Sequence, residues 1–167
     1  EQVEATLNAG RHVLRVSHKG ALDGGEQTFS LIITGAVRGA ERLHVDASGP
    51  DGLGASWGEA FRELADALVY ARNRPDIDFE IWVAGGEYRP IDAIDPGDFR
   101  TRTFELLPNT AVVGGFAGDE SFAAERAPGA TPTVLTGDAN GDDIPGDFTA
   151  WRSENSYHVV LCRDSSG

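Results

Sequence analysis

The chain contains no methionine and a single cysteine, Cys162, among its 167 residues. One cysteine excludes an intrachain disulfide and gives no reading of redox compartment. Placed at the end of YHVVLC, it reads as a small buried hydrophobe closing a strand rather than a reactive thiol. Without methionine, Glu1 is not an encoded start. No signal peptide is visible either, so the sequence is expected to be an excerpt of a longer polypeptide. No apolar run approaches the length of a membrane span, so no membrane insertion is expected in this segment. Bases are scarce: 14 Lys and Arg stand against 27 Asp and Glu, for a net charge of −13. That balance repels phosphate backbones and anionic lipid, which excludes nucleic acid as an expected partner. It favours cation binding or a surface kept soluble by like-charge repulsion.

Histidine is sparse and scattered. His12, His18, His44 and His158 form no HxH or HxxxH pair, so a zinc site is not expected. Ser17 beside His18 does not make a nucleophile and its base, because neighbours on a strand point to opposite faces.

What the chain does have is turn formers, with 21 Gly and 8 Pro, and 40% hydrophobic residues. That composition is globular and points to many short strands joined by tight reversals. The charge divides the sequence. Residues 1–45 hold five acids and five bases, so the whole net charge falls after Val45. RHVLRVSH and QTFSLIITG alternate as half-buried strands, joined by a segment with Gly20, Gly24 and Gly25. Two strands cannot bury a core alone, so residues 1–35 read as the last strands of a β-sandwich. Residues 36–42 read as a linker, and Leu43–Ala47 as the first strand of the next domain, which runs over 43–167.

Ser56 followed by Glu59 has the capping-box pattern, which predicts a helix from Ser56 to Asn73, where Pro75 stops it. Its apolar stripe is Trp57, Phe61, Leu64, Leu68 and Ala71. Further strands are predicted over 79–85, 102–107, 111–116, 133–137 and 157–162. Hydrophobic centres spaced in the low twenties, as from Ile81 to Phe104 and from Val112 to Val134, suit the stacked turns of a β-solenoid.

The order VDASG, ASWGEAFRELADAL, IWVAGGEYRP, VVGGFAGDE, TVLTGD and ENSYHVV resembles the N-terminal part of secreted right-handed parallel β-helix proteins. These are of the pectate-lyase-like and polymorphic outer-membrane-protein kind, found on bacterial surfaces. The resemblance implies an all-β fold: the start of a parallel β-helix with an N-terminal capping α-helix over the first turn's core, and further turns beyond Gly167. It also implies an extracellular or cell-surface location. Residues 1–35, through VSHKG and FSLIITG, are similar to the end of the jelly-roll domain that follows the catalytic domain of some subtilisin-like serine proteases. That resemblance implies a protease domain upstream, with none of its catalytic residues here.

For function, no catalytic constellation is expected within these residues. Asp92, Asp95, Asp98 and Asp119 lie in loops, where acids are ordinarily solvated. The lyases of this fold carry their calcium-binding acids and basic residue on middle turns. GGFAGDE lacks the Lys and Ser/Thr of a phosphate loop, and its small residues read as a corner. TGDANGDDIPGD has two readings. Asp138, Asn140 and Asp142 stand at positions one, three and five of a calcium loop, with the Ile144 carbonyl at seven. Yet position six is Asp143 and position twelve Thr149, so an EF-hand is excluded and only a looser Ca2+ site using Asp143 or Asp147 remains. The plainer alternative is a polar loop reversed by Asx turns and glycines. Of the three tryptophans, Trp57 and Trp82 fall in core elements, which leaves Trp151 as an exposed platform for a sugar ring. The expected function is a non-catalytic structural or binding module contacting polysaccharide or a surface protein. The open alternative is a hydrolase or lyase: the accessory region of a protease, or the start of a polysaccharide-cleaving β-helix.

Overall fold

The computed structural model describes residues 39–144, 146–147 and 150–162. The expected hairpin, with His12, Ser17 and His18, lies outside them. Among the described residues the fold is built mostly of strands, with one α-helix. In chain order these are β1 (Glu41–Val45), α1 (Leu64–Arg72), β2 (Phe79–Ala84), β3 (Gly86–Tyr88), β4 (Phe104–Leu106), β5 (Thr110–Phe116), β6 (Thr133–Leu135) and β7 (Val160–Cys162). No helix among the described residues is long and apolar enough to cross a membrane.

Every ladder between these strands is parallel. β2 lies between β1 and β5, with Leu43 opposite Ile81 and Ile81 opposite Val112. β3 pairs with β6, Glu87 opposite Val134, and β4 pairs with β7, Glu105 opposite Leu161. The run β2, β3, β4 is thus matched strand for strand by the run β5, β6, β7.

The alternation expected of strands places the core. Leu43 and Val45 on β1, and Phe79, Ile81 and Val83 on β2, turn inward to meet Phe61, Leu64, Leu68, Ala71, Tyr88 and Phe104. Val112, Leu135 and Val159, from the second run of strands and its approach, pack against this cluster but are only partly buried. The core is therefore tight at the β1 and α1 end and looser at the β5, β6 and β7 end. The opposite face of the three-stranded sheet is also covered, as parallel sheets generally are. There Trp82 is fully buried and stacks on Phe116 with ring centroids 4.4 Å apart, while the Arg42 guanidinium lies 3.6 Å from the Trp82 ring. His44 and Trp57 complete this second cluster. Residues 117–126 close over it, with the Trp57 indole N–H donating to the Glu120 carbonyl at 3.0 Å.

The helix is shorter than its sequence pattern predicts. Ser56 makes no side-chain cap, Trp57–Glu59 is a single 3-10 turn, and Ala60 is extended. The reason is a competing pairing: the Phe61 N–H donates to the His44 carbonyl at 2.9 Å, and the Asp46 N–H donates to the Phe61 carbonyl at 2.8 Å. Phe61 thus bridges to Val45 as a one-residue strand, and α1 begins only at Leu64. Phe61, Leu64, Leu68 and Ala71 are buried as the stripe requires, but Trp57 sits on the opposite face of the sheet with His44. The same segment closes the outer edge of β1, where the Gly54 carbonyl accepts the His44 N–H at 2.9 Å.

The expected strand at Leu43–Ala47 begins earlier, so Glu41 and Arg42 of the expected linker already belong to β1. The five later strands lie where expected, four with shorter bounds and β5 one residue longer, and β3 is an addition. The low-twenties spacing does not measure one turn. Ile81 pairs with Val112, not with Phe104, which belongs to a different sheet. Cys162, expected to be buried, is exposed because β7 is an edge strand among the described residues.

Candidate cation site and exposed aromatic platform

The acidic stretch begins directly after β6, where the Thr136 N–H still donates to the Tyr88 carbonyl at 3.0 Å. Asp138 then turns its carboxylate back into its own loop. Oδ1 accepts from the Gly141 N–H at 2.7 Å and the Asp142 N–H at 3.2 Å, and Oδ2 accepts from the Asp143 N–H at 3.0 Å. This is the Asx-turn reading made concrete. Loss of hydration pulls the Asp138 carboxyl upward, but the three N–H donors and Arg89 outweigh it and hold it below the usual range.

The loop nevertheless gathers carboxylates. One oxygen from each of Asp138, Asp142, Asp143 and Glu154 lies within 4.8 Å of the others. Two ligands of one ion are separated by at most twice the ion–oxygen distance, about 4.6–5.2 Å for calcium and about 4.0–4.2 Å for magnesium. Oxygens gathered within that bound are compatible with ligation of one Ca2+. Three acceptor atoms here, Asp143 Oδ1, Glu154 Oε1 and Asn155 Oδ1, are buried without a hydrogen-bond donor. Loss of hydration, then the approach of Glu154 and the charge of Asp138, raises the Asp142 carboxyl above its ordinary value. Arg152 offsets part of this charge, 3.3 Å from Asp143 Oδ2, and the Asn155 side-chain N–H donates to the same oxygen at 2.9 Å.

Of the residues singled out in sequence, Asp138, Asp142 and Asp143 meet in this cluster. Asn140, in the same loop, is exposed. Asp147 turns to a different task, accepting the Ala150 N–H at 3.1 Å. Glu154 has no counterpart in the sequence reading. It lies beyond any single-loop spacing and reaches the cluster beside Asn155, whose side chain bonds to Asp143.

Trp151 is 60% exposed, with φ at +59°. A bulky residue rarely adopts that left-handed conformation. The indole stands outside the core. Trp82 is fully buried, and Trp57 is half-buried beside it.

The other candidates are accounted for locally. Asp95 accepts the Gly97 N–H and Asp98 the Arg100 N–H, both within turns. Asp119 is exposed. In GGFAGDE the N–H groups of Ala117, Gly118 and Asp119 do form an anion cradle, but the Glu120 carboxylate fills it. His44 is buried in the core and His158 is exposed, with no second ligand of zinc type beside either among the described residues. A groove of about 530 Å3 lined by Glu80, Val113, Ala123, Ala124, Arg126 and Pro128 shares no residue with the acid cluster. Its single acid, Glu80, is engaged by the Trp82 indole N–H at 2.5 Å.

Comparison of the chain with protein-family models, with curated proteins and with solved structures finds no match.

Proposed function

We propose that the chain from Leu43 onward is the helix-capped start of a right-handed parallel β-helix, and that it serves as a non-catalytic structural and binding module of a secreted or cell-surface bacterial protein. One observation carries this reading: β2, β3 and β4 are matched in order and in parallel by β5, β6 and β7. Successive turns of a solenoid pair in this way. The asymmetry of the two ends supports it as well. Gly54, Phe61 and α1 cover the β1 end, whereas the second run leaves Val112, Leu135 and Val159 partly buried, as a further turn requires.

The module binds through the loops that follow β6. A neutral polysaccharide is the ligand that suits an exposed indole, since the ring stacks on the sugar's apolar face. Ca2+ at Asp138, Asp142, Asp143 and Glu154 would hold that loop in shape.

The test is a panel of neutral bacterial and plant glycans against the wild type and Trp151→Gly. Glycine suits the left-handed backbone, so the variant keeps its stability and loses glycan binding. Absence of binding to any glycan, or equal binding by both proteins, overturns the ligand reading. A crystal structure without three parallel sheets in this order overturns the fold reading.

A further inference from the structure

We propose that Asn140–Gly141 is a succinimide-forming modification site that the Asp138 carboxylate holds shut. Asn140 is exposed, and Gly141 follows it with no side chain to screen its backbone nitrogen. In such a pair the Gly141 nitrogen attacks the Asn140 side-chain carbonyl carbon. The new N–Cγ bond closes a five-membered imide, the Cγ–Nδ2 bond breaks, and ammonia leaves with the proton that the Gly141 nitrogen gives up. Water then adds to one imide carbonyl or the other, opening the ring to aspartate or isoaspartate.

The structure opposes the first step in two ways. The attacking nitrogen must rotate onto Cγ, yet its N–H is committed to Asp138 Oδ1 at 2.7 Å, and the next two N–H groups are held by the same carboxylate. A near-attack geometry therefore requires breaking a charge-assisted hydrogen bond. The nitrogen must also lose its proton, and a carboxylate beside it disfavours the anion that results.

The chemistry has a consequence for the loop. Isoaspartate at Asn140 inserts a methylene into the main chain directly before Gly141. Three successive N–H groups can then no longer converge on Asp138, and Asp142 and Asp143 leave their positions beside Glu154. The site works as a one-way covalent switch: an intact clamp preserves the acid cluster, and a lost clamp dismantles it.

The experiment incubates the full chain at mildly alkaline pH and follows the tryptic peptide spanning residues 127–152 by mass spectrometry, with isoaspartate distinguished by fragmentation. Asn140→Gln removes the signal and assigns it. The folded wild type converts at least about tenfold more slowly than the same chain in urea, the weight of one hydrogen bond to a charged acceptor. Asp138→Ala converts at close to the urea rate. Asp143→Ala, which loosens the loop without freeing the Gly141 N–H, converts like the wild type. The proposal fails if folded and denatured chains convert alike, if Asp138→Ala is no faster, or if Asp143→Ala accelerates conversion as much as Asp138→Ala does.

Discussion

Gly54 lies against the Phe61 ring so closely that a Cβ at Gly54 would sit 2.6 Å from Phe61 Cε2. The contact fixes the segment that closes the β1 edge, because the Gly54 carbonyl also accepts both the His44 N–H and the His44 ring Nδ1–H. Gly54 has φ at +79°, which a side chain disfavours independently of space. Gly54→Ala is expected to destabilise the domain by about 2–4 kcal/mol, combining left-handed strain with overpacking against a buried ring. Urea denaturation of the two proteins measures it, and an unchanged midpoint would show that this edge closure does not hold the fold together.

His44 makes stability depend on pH in a definite direction. Burial, with the Arg42 charge acting in the same sense, lowers its pKa from the ordinary 6.5, and the Gly54 hydrogen bond only partly opposes them. The folded state therefore keeps the ring neutral while the unfolded chain takes up a proton below about pH 6.5. Stability from this group is fully present above that value and is lost as pH falls from it toward the lower folded-state pKa. Melting temperature should decline between neutral and mildly acidic pH, and His44→Gln should flatten that part of the profile. A variant with an undiminished slope would place the titration elsewhere.

The strands were legible because their alternation survives in short segments. FEIWVA buries Phe79, Ile81 and Val83 on one side and Trp82 on the other, and its bounds could be read almost to the residue. The helix start was not legible, because Ser56 and Glu59 satisfy a local rule that a long-range pairing overrides. Phe61 bonds to His44 and Asp46, residues no local window contains. The repeat length misled for a related reason. The low-twenties interval measures steps within one run, Ile81 to Phe104 and Val112 to Val134, whereas equivalent strands of successive runs stand farther apart, as the pairings Ile81–Val112, Glu87–Val134 and Glu105–Leu161 show. At the candidate site, Asp138 and Asp142 could be read from the loop itself. Glu154 could not, because it comes from outside the loop, where the neighbouring Asn155 bonds to Asp143.

The second cluster, on the outer face of the sheet, makes its own contribution. Trp82 is sandwiched between the Arg42 guanidinium and Phe116 and is wholly buried. Trp82→Ala is expected to remove about 3–5 kcal/mol, the range for truncating a large buried aromatic. Trp82→Phe should cost less, since the stack on Phe116 remains while the indole bond to Glu80 is lost. Chemical denaturation decides it, and equal losses in the two variants would mean that the indole bond outweighs the packing.

Calcium should act on the acid cluster with a pH dependence set by its acids. Four carboxylates converge there with three buried acceptor atoms lacking donors, an arrangement in which each charge raises the energy of the others. A divalent ion replaces that repulsion with ligation, so millimolar calcium should raise the melting temperature relative to a chelator, and magnesium should do so less. The proton competes for the same oxygens. Asp142 is held above its ordinary pKa by loss of hydration, Glu154 and Asp138, so calcium affinity should weaken as pH falls through the carboxylate range, and sooner than for an isolated aspartate. Glu154→Gln removes one charge and relieves Asp142. It should therefore raise the melting temperature without calcium while shrinking the calcium-induced rise. Identical melting in calcium and chelator for the wild type would leave the cluster as a solvated turn held together by Asp138 alone.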